Sequence, residues 1–263
     1  MSIIQGTAKS SGDTDFYDFP IEDSLRFDGS SYLSWSPTQT STNQNIWTYS
    51  SWVKRVNVDN QLRLYASGVY ANDSAGLDLT DIYAAYTDNM LTYWDYTSGS
   101  RVAYVRSYPQ LRDTSAWYHI LVSYNSSSTP KMSFYINGNL LSTYGDQPSQ
   151  MNHINVGSRT YYVAADNYGS SVTIRPGTFY LANFQFIDGQ ALDASYFGET
   201  KDDIWVPKTF DGTSSTGGST VSTDYGTNGF LLDFSSISGT TINDTAPIDT
   251  NHSSANNWTA TGF

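Results

Sequence analysis

The side chains able to do chemistry in this sequence are aspartates, tyrosines and three histidines. Asp and Glu total 25 against 13 Lys and Arg, and the only glutamates, Glu22 and Glu199, lie far apart. Hydrolysis of a glycosidic bond needs two carboxyls, about 5–5.5 Å apart for retention or about 6.5–9.5 Å for inversion. Asp78 and Asp81 stand three residues apart, which places them on opposite faces of a regular strand. They would converge with Asp73 only through loop geometry, so no catalysis is expected. The absence of cysteine excludes disulfides, thiolate zinc sites and a cysteine nucleophile. His119, His153 and His252 are scattered and offer zinc no obvious ligand set. His119, beside Trp117 and Leu121, reads as a core histidine. No cofactor is expected. Calcium is the ion that Asp73, Asp78, Asp81 and Asp166 would take, since hard cations choose carboxylate and carbonyl oxygens. Aspartate is equally the residue that ordinary turns use.

Aromatic residues make up 15% of the chain while only 14% is charged, so aromatic chemistry matters more than charge. Tyr83, Tyr86, Tyr93, Trp94 and Tyr96 form one rich stretch, and Tyr161 and Tyr162 another. Exposed, such rings stack on sugar faces, with aspartate and asparagine taking the hydroxyls. The competing reading is that they pack a sheet face or a subunit interface, where tyrosine and tryptophan are also favoured. A formal net charge of −12 repels phosphate backbones and argues against a nucleic-acid partner. No run approaches the 18 or so apolar residues of a membrane span, and Met1 to Gly6 lack the regions of a secretory signal. The acceptor-like tripeptides beginning at Asn72, Asn125 and Asn257 are expected by chance in so Ser/Thr/Asn-rich a chain.

The elements that must hold these residues are strands. At 263 residues the chain is long enough for one all-β core. Trp47, Tyr49, Ser51 and Val53 share one face of a strand over 47–55, and Trp52 on the other face points to a second covering layer. Strands are also expected at 24–27, 32–35, 62–65, 77–86, 91–96, 154–156 and 229–234. Trp117 to Tyr124 is apolar on both faces, as suits a central strand. Met132, Phe134 and Ile136 lead into Asn137-Gly138, a type I′ hairpin signal. Ala182, Phe184 and Phe186 read as one face of a further strand. A short helical turn is expected near 193–197, and 211–223 reads as a flexible Gly/Ser/Thr loop. Trp258 stands isolated in a polar tail. Residues 1–20 read as an N-terminal arm whose rings Phe16, Tyr17 and Phe19 dock on a neighbour, before a single domain over 21–263. The expected class is all-β, a two-sheet antiparallel jelly-roll sandwich with an extended N-terminal arm.

Several stretches resemble one family. Ser24-Leu25-Arg26-Phe27-Asp28-Gly29, Trp47 through Ser51-Trp52-Val53-Lys54-Arg55, Trp117-Tyr118-His119-Ile120 and Tyr135-Ile136-Asn137-Gly138 are similar to the laminin-G-like, concanavalin A-like jelly roll. The later stretches Phe186 to Asp193, Phe197 to Thr200, Trp205 to Lys208 and Tyr225 to Phe230, with the ending near Asn257-Trp258, resemble the version found in phage tail-fibre and other virion proteins. Related glycosidases place Glu-x-Asp-x-Glu on one strand, a motif this sequence lacks. In the phage group the asparagine–tryptophan stretch often leads into further domains, whereas this sequence stops. The resemblance therefore implies a compact, non-enzymatic decoration, cement or tail-attached subunit on the virion surface. Its partners would be other capsid or tail proteins and itself. The alternative is a carbohydrate-binding module that reads host surface polysaccharide.

Overall fold

A computed structural model describes residues 19–69, 72–79, 88–148, 153–157, 159–169, 171–218 and 220–263. Two antiparallel sheets face one another. The first has seven strands, in the order β1 (Leu25–Asp28), β15 (Thr178–Asp188), β3 (Ile46–Arg55), β8 (Tyr118–Asn125), β9 (Met132–Ile136) and β10 (Asn139–Leu140), with β18 (Phe230–Leu232) alongside the second half of β15. The second has ten. Its order is β11 (Thr143–Asp146), β7 (Ser100–Gln110), β6 (Met90–Thr97), β5 (Ser74–Leu79), β4 (Leu62–Gly68), β12 (Tyr161–Val163), β2 (Tyr32–Trp35), β21 (Trp258–Thr261), β20 (Thr241–Ile242) and β19 (Ile237–Ser238). Two hairpins lie outside the sheets: β13 (Ala165–Tyr168) with β14 (Ser171–Ile174), and β16 (Gly198–Lys201) with β17 (Ile204–Pro207). A 3₁₀ turn, Ala194–Tyr196, is capped by the Asp193 carboxylate, which accepts from the Ser195 amide.

Period-two burial makes the sandwich. Trp47, Tyr49 and Val53 face inward with Ile120, Val122 and Tyr124, and meet Tyr65, Leu77, Tyr93 and Val105 of the opposite sheet. The other face of the seven-stranded sheet is covered too. Phe197, Phe210 and Tyr225 lie over Leu121 and Ile187, while Ile21 and Trp205 pack on Trp52. Asn137 (φ 47) and Gly138 (φ 79) form the expected tight turn between β9 and β10.

Several sequence expectations need correction. Ala182 does not share a face with Phe184 and Phe186: a bulge between Ala182 and Gln185, with Asn183 at φ 43, turns Ala182 outward beside Trp52. An inserted residue of this kind reverses the alternation beyond it. Trp258 is not isolated. It is fully buried, and strand β21 inserts between β2 and β20 so that its indole packs on Trp35, Phe184 and Phe230 at 5.8, 5.9 and 5.2 Å. Residues 154–156 form no strand. The strand expected over 77–86 begins earlier, at Ser74, and is described to Leu79, the rest lying outside the described residues. Of the three arm rings, Phe19 packs on the Trp52 cluster of its own chain, and Phe16 and Tyr17 lie outside the described residues. The 211–223 loop is tied by Lys208, whose ammonium meets Asp211 at 2.7 Å and the Thr213 carbonyl at 2.8 Å, and by Val221 N–H donating to the Gly212 carbonyl at 2.8 Å.

Candidate functional site

Among the described residues, Tyr93, Trp94, Tyr96 and Tyr161 do not form an open platform. Tyr93 and Tyr161 are fully buried between the sheets. Trp94 and Tyr96 point to the outer face of the ten-stranded sheet but are only 4% and 7% exposed. Gly76 lets the Trp94 indole lie flat, because a Cβ there would meet the ring at 2.5 Å. The Arg63 guanidinium covers that ring at 4.6 Å. Its Nε pairs with Asp78 at 2.5 Å and its Nη1 with Asp166 at 2.6 Å, and Arg175 adds a second cation on Asp166 at 2.5 Å. Gln61 and the Trp94 indole N–H both donate to Asp78 Oδ2, at 3.1 and 3.0 Å. Two of the four calcium candidates thus already have their cations in arginine, inside a buried network. Asp73 lies elsewhere, and Asp81, Tyr83 and Tyr86 lie outside the described residues. Among the described residues no three His, Asp or Glu side chains cluster as a metal site would require.

His119 is a core residue. Burial pushes its imidazole down to about 3, the Trp205 indole donates to Nδ1 at 3.1 Å, and Nε2 lies 2.9 Å from the Ser50 hydroxyl. A neutral ring with N–H on Nε2 satisfies both contacts.

What the structure does open is a cleft of about 360 Å³ at the rim, where β4 ends, β12 begins and the β13–β14 hairpin folds over. Asn72, Asp73, Arg159, Thr160, Tyr162 and Asn167 line it. Gly68, at φ 76, permits the tight exit from β4, since a Cβ there would strike the Asp73 carbonyl at 2.1 Å. Arg159 Nη1 donates to that same carbonyl. The Ser98 amide donates to Asp73 Oδ1 at 2.8 Å, and the Asp73 side chain remains 45% exposed. A carboxylate, a guanidinium, two amides and two hydroxyls therefore converge, able to accept and donate hydrogen bonds at once.

Behind the cleft lies a chain of buried polar groups. His153 Nε2 stands 3.7 Å from Asp73 Oδ1, and its Nδ1 is 2.5 Å from Asp95 Oδ1. The Tyr93 hydroxyl donates to Asp95 Oδ2 at 2.8 Å. Burial raises the Asp95 carboxyl above the ordinary range, against the hydrogen bond and charge of His153. Sequence reading found Asp73 and Tyr162 but missed Asn72, Arg159, Thr160, Asn167, Asp95 and His153 as one group. They are brought together from 72 to 167 by strand pairing and hairpin closure, and no local motif marks them.

The model of the concanavalin A-like lectin/glucanases superfamily matches residues 27–195. A solved structure of a candidate carbohydrate binding protein from Bacteroides ovatus is 17% identical, with a TM-score of 0.55, and covers 91% of this chain. The chain spans 58% of that protein's length. Tailspike protein 2 of an Escherichia coli O157:H7 bacteriophage shares 13% identity over 65% of this chain and 23% of its own, with a TM-score of 0.44. Domains LG4-5 of the mouse laminin alpha1 chain share 16% over 73% and 46%, with a TM-score of 0.43. No curated protein matches the sequence.

Proposed function

The chain belongs to the concanavalin A-like lectin/glucanases superfamily, and from that premise we propose that it works by adhesion without catalysis, as a module on a phage particle whose rim cleft holds a sugar of the host surface. The superfamily supplies the scaffold, not the activity, since one fold hosts many. The observation that carries the reading is the cleft itself, a polar hollow lined by the Arg159 side chain and by an Asp73 carboxylate held by the Ser98 amide. Such groups match the mixed donors and acceptors of a hydroxylated ligand. Among the described residues Asp73 is the only carboxylate lining it, and glycosidic cleavage needs two. Glu199 is occupied with Lys201 at 3.3 Å on the β16–β17 hairpin. The likeness of the later stretches to phage virion proteins supports the location.

An array of bacterial surface polysaccharides tests this reading. Binding should be detected, and Asp73→Ala or Arg159→Ala should weaken it roughly tenfold or more, the worth of a charged hydrogen bond. No binding at millimolar sugar, or undiminished binding by both variants, would dismiss the cleft. Release of reducing ends from any bound polysaccharide would dismiss the non-catalytic reading.

A second reading, packing against other virion subunits or a second copy, rests on a different surface. Tyr108 is 59% exposed, and its ring packs against that of Tyr144, tilted by 45° with centroids 4.8 Å apart. The Arg106 guanidinium lies 5.6 Å from both Tyr144 and Tyr104, and Arg101 lies 4.3 Å over Tyr104. Tyrosine and arginine are the residues on which subunit contacts concentrate.

A further inference from the structure

We propose that two copies of the chain pair through the outer face of the seven-stranded sheet. The acidic tip of the β16–β17 hairpin of each copy sits on a row of cationic and aromatic side chains of the other. This face belongs to the sheet opposite the rim cleft, so the inference does not depend on what the cleft binds.

The row is set by strand register. Arg26 on β1 lies opposite Tyr180 on β15, and Tyr180 lies opposite Lys54 on β3. Their chain neighbours Phe27, Leu181 and Val53 point into the core, so alternation turns these three outward. The Arg26 guanidinium stands 6.0 Å from the Tyr180 ring, and the Trp117 ring meets Tyr180 at 6.4 Å, tilted by 55°. The covering layer is centred one row away, where Phe19, Ile21 and Trp205 pack on Trp52. Arg26 is therefore exposed, and Tyr180, Lys54 and Trp117 are half-buried. Two carboxylates nearby are turned to their own loops. Asp28 takes the Ser30 amide and hydroxyl, both at 2.8 Å, and Asp113 takes those of Ser115 at 2.8 and 2.6 Å. The Ser115 bonds do most to hold the Asp113 carboxyl below its usual range, and Lys54 does least.

The tip is the turn of the β16–β17 hairpin. Asp202 and Asp203 both hold positive φ, 47 and 63, as a type I′ turn requires. Both aspartates are exposed, and Ile204 beside them is 53% exposed. Lys201, the cation next to them in sequence, pairs with Glu199 at 3.3 Å. One residue beyond Ile204, the Trp205 indole stacks on His119 at 5.9 Å and donates to it, which fixes the hairpin on the same outer face. Tip and row are thus neighbours of opposite charge. A two-fold axis passing between them lays each tip on the partner's row, a self-complementary contact that closes at two copies. Asp202 and Asp203 then meet Arg26 and Lys54, while Ile204 meets Tyr180 and Trp117, charge around an apolar centre as subunit contacts are built. In a chain of net charge −12, these cations give a second copy one face on which to dock and a register to dock in. The ten-stranded sheet stays free, so each pair carries two rim clefts and holds a surface of repeated sugars twice.

The test is sedimentation of the full chain with no sugar added. The native protein should form a dimer that loosens as salt is raised, because exposed ion pairs are screened. Asp202→Asn with Asp203→Asn keeps the turn, since asparagine accepts positive φ. That variant, and Arg26→Glu with Lys54→Glu, should each raise the dissociation constant about tenfold or more. Reversing the tip, Asp202→Lys with Asp203→Lys, should also give a monomer. Mixed in equal amounts with the Arg26→Glu, Lys54→Glu protein, it should restore a dimer of one copy of each, read by native mass spectrometry. A native chain that stays monomeric at millimolar concentration overturns the proposal, as does a dimer that survives the tip and row variants. A dimer lost in Tyr108→Ala but kept in those variants places the contact on the other sheet and overturns it too. Should the lysine tip fail to fold, the asparagine tip and the row variant decide alone. Since no sugar is present, this result and the array result fail independently.

Discussion

Arg63 shows at the level of one side chain how Asp78, Asp166 and Trp94 serve the fold. It is 1% exposed, pairs with two carboxylates and lies across an indole. Removing one partner of a buried ion pair leaves the others charged in a poor solvent, at a cost of about 3–5 kcal/mol. Arg63→Met should lower stability by that amount, read as the urea midpoint. Trp94→Ala should cost a similar amount, about 3–5 kcal/mol, by emptying its place on the sheet. A loss of sugar binding in that variant would therefore report unfolding unless the fold is checked. His252 makes a second case. It is fully buried, 3.1 Å from Asp244 Oδ2, while Asp244 also accepts the amides of Leu231, Ala246 and Asn256. Burial alone would lower the imidazole, but the hydrogen bond and charge of Asp244, with the Gly226 carbonyl, outweigh it and raise it above its ordinary value. A group raised on folding contributes stability that is complete below its unfolded pKa and is lost as pH climbs through the folded one. The stability difference between the native protein and His252→Asn should shrink as pH rises across that window, measured by urea unfolding at stepped pH.

Strands and turns behave as their local chemistry dictates. Gly138 holds a positive φ, and a Cβ there would strike the Trp205 ring at 2.4 Å. Gly138→Ala should destabilise by about 1–2 kcal/mol from the backbone alone, with a further loss from displacing Trp205, and its intrinsic fluorescence should report the displacement. This turn was legible in the sequence because type I′ geometry names its residues. So were the inward faces of β3, β8 and β9, where alternation runs unbroken. Illegible were the places where one residue breaks the count. The bulge at Asn183 carries no glycine and no proline to announce it. The cleft was illegible for another reason: Asn72, Arg159 and Asn167 are ordinary loop residues until β4, β12 and β13 are paired. The outer aromatic face was half legible. Composition showed that the rings were there, but their burial depends on Arg63 and Gly76, which read as unremarkable strand positions.

Across the whole molecule, the ends of the described chain hold the sheets together. Strand β1 borders the seven-stranded sheet, and β21 sits inside the ten-stranded one. Phe27 meets Phe263 at 5.3 Å, so both sheets are joined where the ends approach. Removing residues 251–263 deletes a strand from mid-sheet and takes away a tryptophan buried among Trp35, Phe184 and Phe230. The shortened protein should lose cooperative unfolding and bind a hydrophobic dye, whereas a trimmed floppy tail would leave the urea transition unchanged.

The insertion of β21 between β2 and β20 sets a timetable for biosynthesis. While the ribosome is still making residue 258, β2 has no partner on that side and the aromatic centre lacks its keystone. The nascent chain must wait, with two sheets' worth of oily surface unsealed, until β21 has cleared the exit tunnel. Pairings that span most of the polypeptide are slow to form, and the interval leaves the chain open to association with its neighbours. Yield in the cell should accordingly depend on holdase chaperones more steeply than the finished sandwich's own stability would suggest.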